Sequence, residues 1–193
     1  MVKMKIALAQ MEVTAGLPEE NLETMLSMIN DAKKQKADLI VFPEMCVGGY
    51  LLSDQWLDED FCLDLMSFND DLLKASEGIA IAYGNIFVDN KINDRVGDEK
   101  IHPNKDGRSR KYNAVYVVQN GKPAQRLRET KILPQGVQPK TLLPNYRFFD
   151  DERYFFSLQD VAQDFNLTLE ELLSPFVIEV DGRRIPIGFE LCE

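Results

Sequence analysis

Three consecutive segments near the N-terminus narrow the possible folds more than anything else in the chain. Residues 5–11, Lys-Ile-Ala-Leu-Ala-Gln-Met, form a short apolar run that reads as a buried strand. After Gly16, Pro18 suits the first turn of a helix, because its fixed φ fits and its missing N–H is not needed there. Glu19 and Glu20 complement the positive end of that helix. Leu22, Met25, Leu26, Ile29 and Ala32 then recur at helical spacing, and Lys33, Lys34 and Lys36 suit its C-terminal end. Residues 38–42, Asp-Leu-Ile-Val-Phe, are a second buried strand stopped by Pro43. Two strands joined by an amphipathic helix can pair only in parallel, which predicts an α/β fold.

The remaining chain continues the alternation. Residues 54–76 read as helical, with Leu63, Leu65, Met66, Leu72 and Leu73 inward and Cys62 as a small core residue. Residues 79–88 are the next strand, and the polar stretch 89–110, which contains the single histidine His102, reads as a surface loop. Residues 113–118 form a strand, and Asn120-Gly121 signals a hairpin into residues 122–129. Residues 140–155 hold several aromatics around Pro144 without helical spacing, as the lining of a pocket or a subunit contact would. Thr168 and Glu171 make a capping box for a short helix over 167–174. Residues 176–180 and 183–191 read as a hairpin about Asp181-Gly182 that delivers Cys192 from the end of a strand.

Bulk properties exclude several function classes. The 193 residues suffice for one domain with a real core, and their net charge of -10 disfavours nucleic acid and anionic membrane as partners. Cys46, Cys62 and Cys192 are odd in number and lack metal-ligand spacing, which predicts neither a disulfide framework nor a zinc site. With no signal-peptide pattern and no membrane-length apolar run, the expected compartment is the cytoplasm.

Three residues carry chemistry. Glu44 follows the second strand directly, in Val41-Phe42-Pro43-Glu44, and precedes the flexible Gly48-Gly49-Tyr50. Lys140 opens Lys-Thr-Leu-Leu-Pro-Asn-Tyr, and Cys192 lies in Leu-Cys-Glu. Each position alone is a weak signal, and from position alone Glu44 reads better as a solvated loop glutamate. Their order resembles the Glu-Lys-Cys triad of the nitrilase, or carbon–nitrogen hydrolase, superfamily. The resemblance is closest to the glutaminase branch found in glutamine-dependent NAD synthetases. Lys131, in Lys-Ile-Leu-Pro, mimics the lysine motif, but only Lys140 is followed by Asn-Tyr, Phe-Asp and Arg-Tyr-Phe.

The resemblance implies a four-layer α/β/β/α sandwich, of which residues 1–193 are expected to form the N-terminal portion. It implies that Glu44 is the general base, Lys140 the cation facing the oxyanion and Cys192 the nucleophile of L-glutamine hydrolysis through a thioester. Tyr50, Tyr146 and Phe149 would line the glutamine pocket, core packing being the competing role for the last two, and Glu193 would meet the substrate amino group. Arg147 and Arg153 read as structural ion-pair or contact residues. The glutaminase step would need no metal or cofactor. Ammonia would pass to a synthetase domain using ATP and Mg to amidate deamido-NAD, in a protein expected to be a homo-oligomer. The family sandwich extends beyond its nucleophile, so one core face is expected to be uncovered or covered by another chain. Like charge from Glu193 and the α-carboxylate would disfavour a thiolate at Cys192. This stretch alone is therefore expected to hydrolyse glutamine weakly or not at all. Two other readings stay open, a stand-alone amidase for another small amide and a catalytically incomplete interaction module.

Overall fold

A computed structural model describes residues 3–97 and 108–191. Strands β1 (Ile6–Leu8) and β2 (Leu39–Val41) flank helix α1 (Pro18–Lys34), as the periodicity predicts, and pair in parallel with Ile6 opposite Leu39. β2 pairs in parallel with β3 (Ala80–Asp89). β3 is antiparallel to β4 (Arg110–Gln119) along their whole length, from Ala80 opposite Gln119 to Asp89 opposite Arg110. Asn120 and Gly121 turn the chain with φ of 52° and 68°, the left-handed pair a tight hairpin requires. The result is a six-stranded sheet ordered β1-β2-β3-β4-β5, with β5 (Lys122–Pro123) and β7 (Val137–Pro139) both on β4.

One face of this sheet carries Ile40, Ile81, Tyr83, Tyr116 and Val118, which pack with Met25 and Ile29 of α1 and with Leu65 and Leu72 of two further helices. These are α2 (Glu59–Ser67) and α3 (Asn69–Ala75). The opposite face presents Leu39, Ala80, Ala82, Val115 and Val117 to a second sheet, β6 (Gln125–Arg126), β8 (Phe176–Val180) and β9 (Arg183–Ile187). Phe176, Ile178 and Val180 fill the space between the sheets. Among the described residues the layers are therefore α/β/β, and Glu179, Arg184 and Pro186 on the second sheet are exposed.

Several local readings change in the folded chain. β1 is a sheet edge rather than a buried strand, with Ile6 and Leu8 49% and 79% exposed, because the cluster facing the second sheet takes in Leu39 of β2 but neither of these side chains. The helical stretch 54–76 breaks into a 3-10 turn (Ser53–Leu57), α2 and α3. Asp58 adopts extended backbone and accepts from the amides of Asp60 and Phe61, so a new helix starts there. The segment expected to be loop holds α4 (Ile92–Val96) and the first residue of β4, while His102 lies outside the described residues. The strand expected over 122–129 divides at Ala124, β5 staying on the first sheet and β6 joining the second. A helix absent from the sequence reading, α5 (Leu158–Asp164), starts at a Ser157–Asp160 capping box, and α6 (Leu169–Leu172) at the predicted Thr168–Glu171 box. β9 ends at Ile187 instead of Leu191, since its partner β8 begins at Phe176, just after Pro175.

Candidate active site

Glu44 sits in the turn that follows β2. Phe42 N–H donates to the Ala82 carbonyl and Gly84 N–H to the Pro43 carbonyl, so the turn is stitched against β3. The approach is close enough to demand glycine at position 84. A Cβ there would lie 2.3 Å from the Met45 nitrogen and 2.8 Å from Glu44 Cα.

Lys140 comes from the opposite direction, at the end of β7. Its N–H donates to the Asn113 carbonyl on β4 at 2.8 Å, and its own carbonyl accepts from Leu158 at the start of α5 at 2.8 Å. The side chain, 1% exposed, reaches Glu44 Oε1 at 2.7 Å and the Tyr50 hydroxyl at 3.3 Å. A buried ammonium this deep is stable only when paired. Lys131, the alternative lysine of the sequence, is exposed.

Two residues that sequence reasoning missed complete the cluster. Asn113 Nδ2 donates to the same Glu44 Oε1 at 2.5 Å. Asp151 accepts from the Tyr50 hydroxyl at 2.5 Å and is 3% exposed. Burial raises the Asp151 carboxyl above its ordinary value, opposed by the Tyr50 hydrogen bond and the Lys140 charge. A sequence signal existed for Asn113, as a polar residue inside the apolar run of β4. Asp151 lay unremarked among the aromatics of residues 140–155.

The predicted pocket aromatics gather beside this cluster. Tyr50 meets Phe149 edge-on with ring centroids 5.5 Å apart, and Phe149 meets Tyr146 at 5.6 Å. Tyr146 is 47% exposed, at the rim. Tyr50 and Asp151 also line a cleft of about 250 Å³, whose other walls include Trp56, Phe148, Phe149 and Phe155; Glu44 and Lys140 do not line it. Arg153 pairs with Asp54 at 2.8 Å on the surface. Cys192 and Glu193 lie outside the described residues. The other two thiols are unsuited to nucleophilic work, for burial pushes Cys46 up to about 12 and Cys62 up to about 11, the nearby Lys111 charge only partly offsetting the latter.

A part-buried Glu–Lys pair held between two strand ends of an α/β/β stack agrees with the match of the chain to the carbon-nitrogen hydrolase family model over residues 5–192. The chain belongs to the carbon-nitrogen hydrolase family. Among its relatives, the glutamine-dependent NAD(+) synthetase of Acinetobacter baylyi is 33% identical over 155 residues, covering 80% of this chain and 23% of the relative. The Aquifex aeolicus glutamine-dependent NAD(+) synthetase is 26% identical over 192 residues, covering 98% and 26%. The structure of glutamine-dependent NAD+ synthetase from Acinetobacter baumannii superposes with a TM-score of 0.63 at 28% identity, over 95% of this chain and 27% of that one. A Nesterenkonia amidase of the nitrilase superfamily shares the fold, with a TM-score of 0.58 at 16% identity over 94% and 53%. The chain thus spans about a quarter of the length of the synthetases it matches. Its mixed α/β fold is nitrilase-like. Among the described residues, no helix is long and apolar enough to cross a membrane.

Proposed function

We propose that this carbon-nitrogen hydrolase chain carries the glutaminase centre of a glutamine-dependent NAD synthetase, as the N-terminal portion of that domain. The observation that carries the proposal is the pair of half-buried Glu44 and buried Lys140, whose carboxylate and ammonium meet at 2.7 Å beside the Tyr50 hydroxyl. An amide carbonyl is a poor electrophile, so its hydrolysis needs a strong nucleophile and a charge partner for the oxyanion. Glu44 takes the proton of the Cys192 thiol as sulfur bonds to the δ-carbon of glutamine. Lys140 stabilises the oxyanion so formed. Glu44 then passes the proton to the amide nitrogen, the C–N bond breaks and ammonia leaves. Water, deprotonated by Glu44, attacks the γ-glutamyl thioester, glutamate departs and the proton returns to sulfur.

Tyr50, Tyr146 and Phe149 form the wall for the glutamine side chain, and Glu193 is the counter-charge for its ammonium. The step uses only protein groups. ATP and Mg belong to a synthetase domain, where the ammonia would amidate deamido-NAD. Homo-oligomer formation and a cytoplasmic location are part of the same proposal. A direct test is mass spectrometry after incubation with a glutamine analogue bearing an electrophilic diazoketone, beside an assay of ammonia released from glutamine. Label confined to Cys192, slow because this stretch alone is expected to turn over weakly or not at all, lost in Cys192→Ala and slowed further in Glu44→Gln and Lys140→Met, is expected. Ammonia release that survives Cys192→Ala would overturn the proposal.

A further inference from the structure

Glu44 receives two hydrogen bonds from different elements, and both fall on one oxygen. Lys140 Nζ lies 2.7 Å and Asn113 Nδ2 2.5 Å from Oε1, and among the described residues no donor reaches Oε2. The terminal torsion of a glutamate side chain is soft and broad, so a carboxylate held from one side by a single ammonium can still swing. Two donors arriving from β4 and from the end of β7 remove that freedom. We propose that Asn113 is the positioning residue of this centre: by holding Oε1 together with Lys140, it leaves Oε2 as the oxygen that accepts and returns the proton. The proposal rests on the base role of Glu44 given above.

Packing does not explain an asparagine at this place. Asn113 is fully buried in β4 between Tyr112 and Ala114, where an apolar side chain would serve the core better. Its Oδ1 has no hydrogen-bond partner, so the residue bears the cost of a buried, unsatisfied acceptor. What it supplies in return is the Nδ2 contact. A carboxylate is acceptor-only when ionised, so the amide group turned with its nitrogen toward Glu44 matches the charged form. A neutral donor steers the carboxylate without a second positive charge, which would weaken it as a base. The backbone carbonyl of Asn113 also takes the Lys140 N–H at 2.8 Å. One residue thus fixes the main chain of the lysine and the side chain of the glutamate.

The test compares Asn113→Leu and Asn113→Asp with the unaltered chain. The first removes the donor. The second keeps the shape but sets an oxygen against Oε1. Since Asn113 acts through Glu44, both are expected to lower kcat for ammonia release from glutamine by roughly 10²-fold, the lower end of what a positioned general base contributes, with KM little changed. Independently of turnover, the side-chain amide signal of Asn113 in a ¹⁵N–¹H spectrum is expected to show one strongly downfield proton that moves upfield in Glu44→Gln. Unchanged kcat in Asn113→Leu, or an amide signal indifferent to Glu44, overturns the proposal. Because this stretch alone is expected to hydrolyse glutamine weakly or not at all, an unaltered chain that releases no ammonia leaves the amide signal to decide: dependence on Glu44 upholds the placement of Glu44 by Asn113 and indifference overturns it. Ammonia release that survives Cys192→Ala, by contrast, fails the glutaminase reading and leaves that placement standing.

Discussion

Replacing Lys140 by methionine keeps most of the side-chain volume and removes the charge. Charges 2.7 Å apart attract by about 6 kcal/mol at an effective dielectric of about 20. Desolvating each ion costs several kcal/mol, so the pair as a whole adds little to stability, while a lone partner is expensive. In Lys140→Met the Glu44 carboxylate keeps its Asn113 donor, and at 19% exposure it still reaches water. A loss of about 2–4 kcal/mol follows, toward the low end for a broken buried pair. In Glu44→Gln the ammonium, 1% exposed, loses its counter-charge, which predicts about 3–5 kcal/mol. The double variant is neutral and nearly isosteric, so it should return to within about 2 kcal/mol of the parent. The resulting coupling is at least about 3 kcal/mol. Urea unfolding reports it cleanly through Trp56, the single tryptophan, which is 1% exposed in the core. Matching m-values license the comparison. Additive single variants, or a Lys140→Met protein within about 1 kcal/mol of the parent, would show that solvent already screens the pair and refute the reasoning.

Two further outcomes follow from neighbouring residues. Gly84→Ala puts a Cβ 2.3 Å from the Met45 nitrogen, against backbone that cannot yield cheaply, so a drop of about 2–3 kcal/mol in urea-derived stability is expected, and an unchanged midpoint would contradict the close approach. Asp151 sets a pH dependence. Its folded-state carboxyl titrates above the ordinary 3.8, chiefly through burial, so the contribution of this group to stability is fullest below that value and is lost as pH rises through the folded-state one. Asp151→Asn cannot ionise, and its stability relative to the parent should improve from about pH 3.5 to pH 7; parallel curves would refute the raised value.

The cluster around Glu44 and Lys140 was only partly legible in the chain. Glu44 could be singled out because it follows a readable strand, and Lys140 because of the run of residues that follows it. Asp151 stood in such a run too, but its partner is the Tyr50 hydroxyl, 101 positions away, and a carboxylate in an acidic loop ordinarily reads as solvated. Asn113 was hidden in the apolar pattern of β4, where hydropathy registers a polar residue but not what it faces. α5 was missed although its Ser157–Asp160 box was present, because the aromatic residues before it carry no helical period.

What the sequence by itself determined is what acts over a few residues. The 3.6-residue period of α1, the Asn120-Gly121 turn, the Thr168 cap and the apolar run of β3 each encode their own backbone locally. Tertiary structure alone decided which surfaces those elements meet. It made β1 an exposed edge, moved β6 onto a second sheet, and brought Lys140 to Glu44 across 96 positions of chain. The physical reason is range. Capping, turn and periodicity energies act between near neighbours in sequence, whereas a buried ion pair is set by how β4 reverses against β3 and where β7 joins it, and that is fixed only when the whole sheet closes its core.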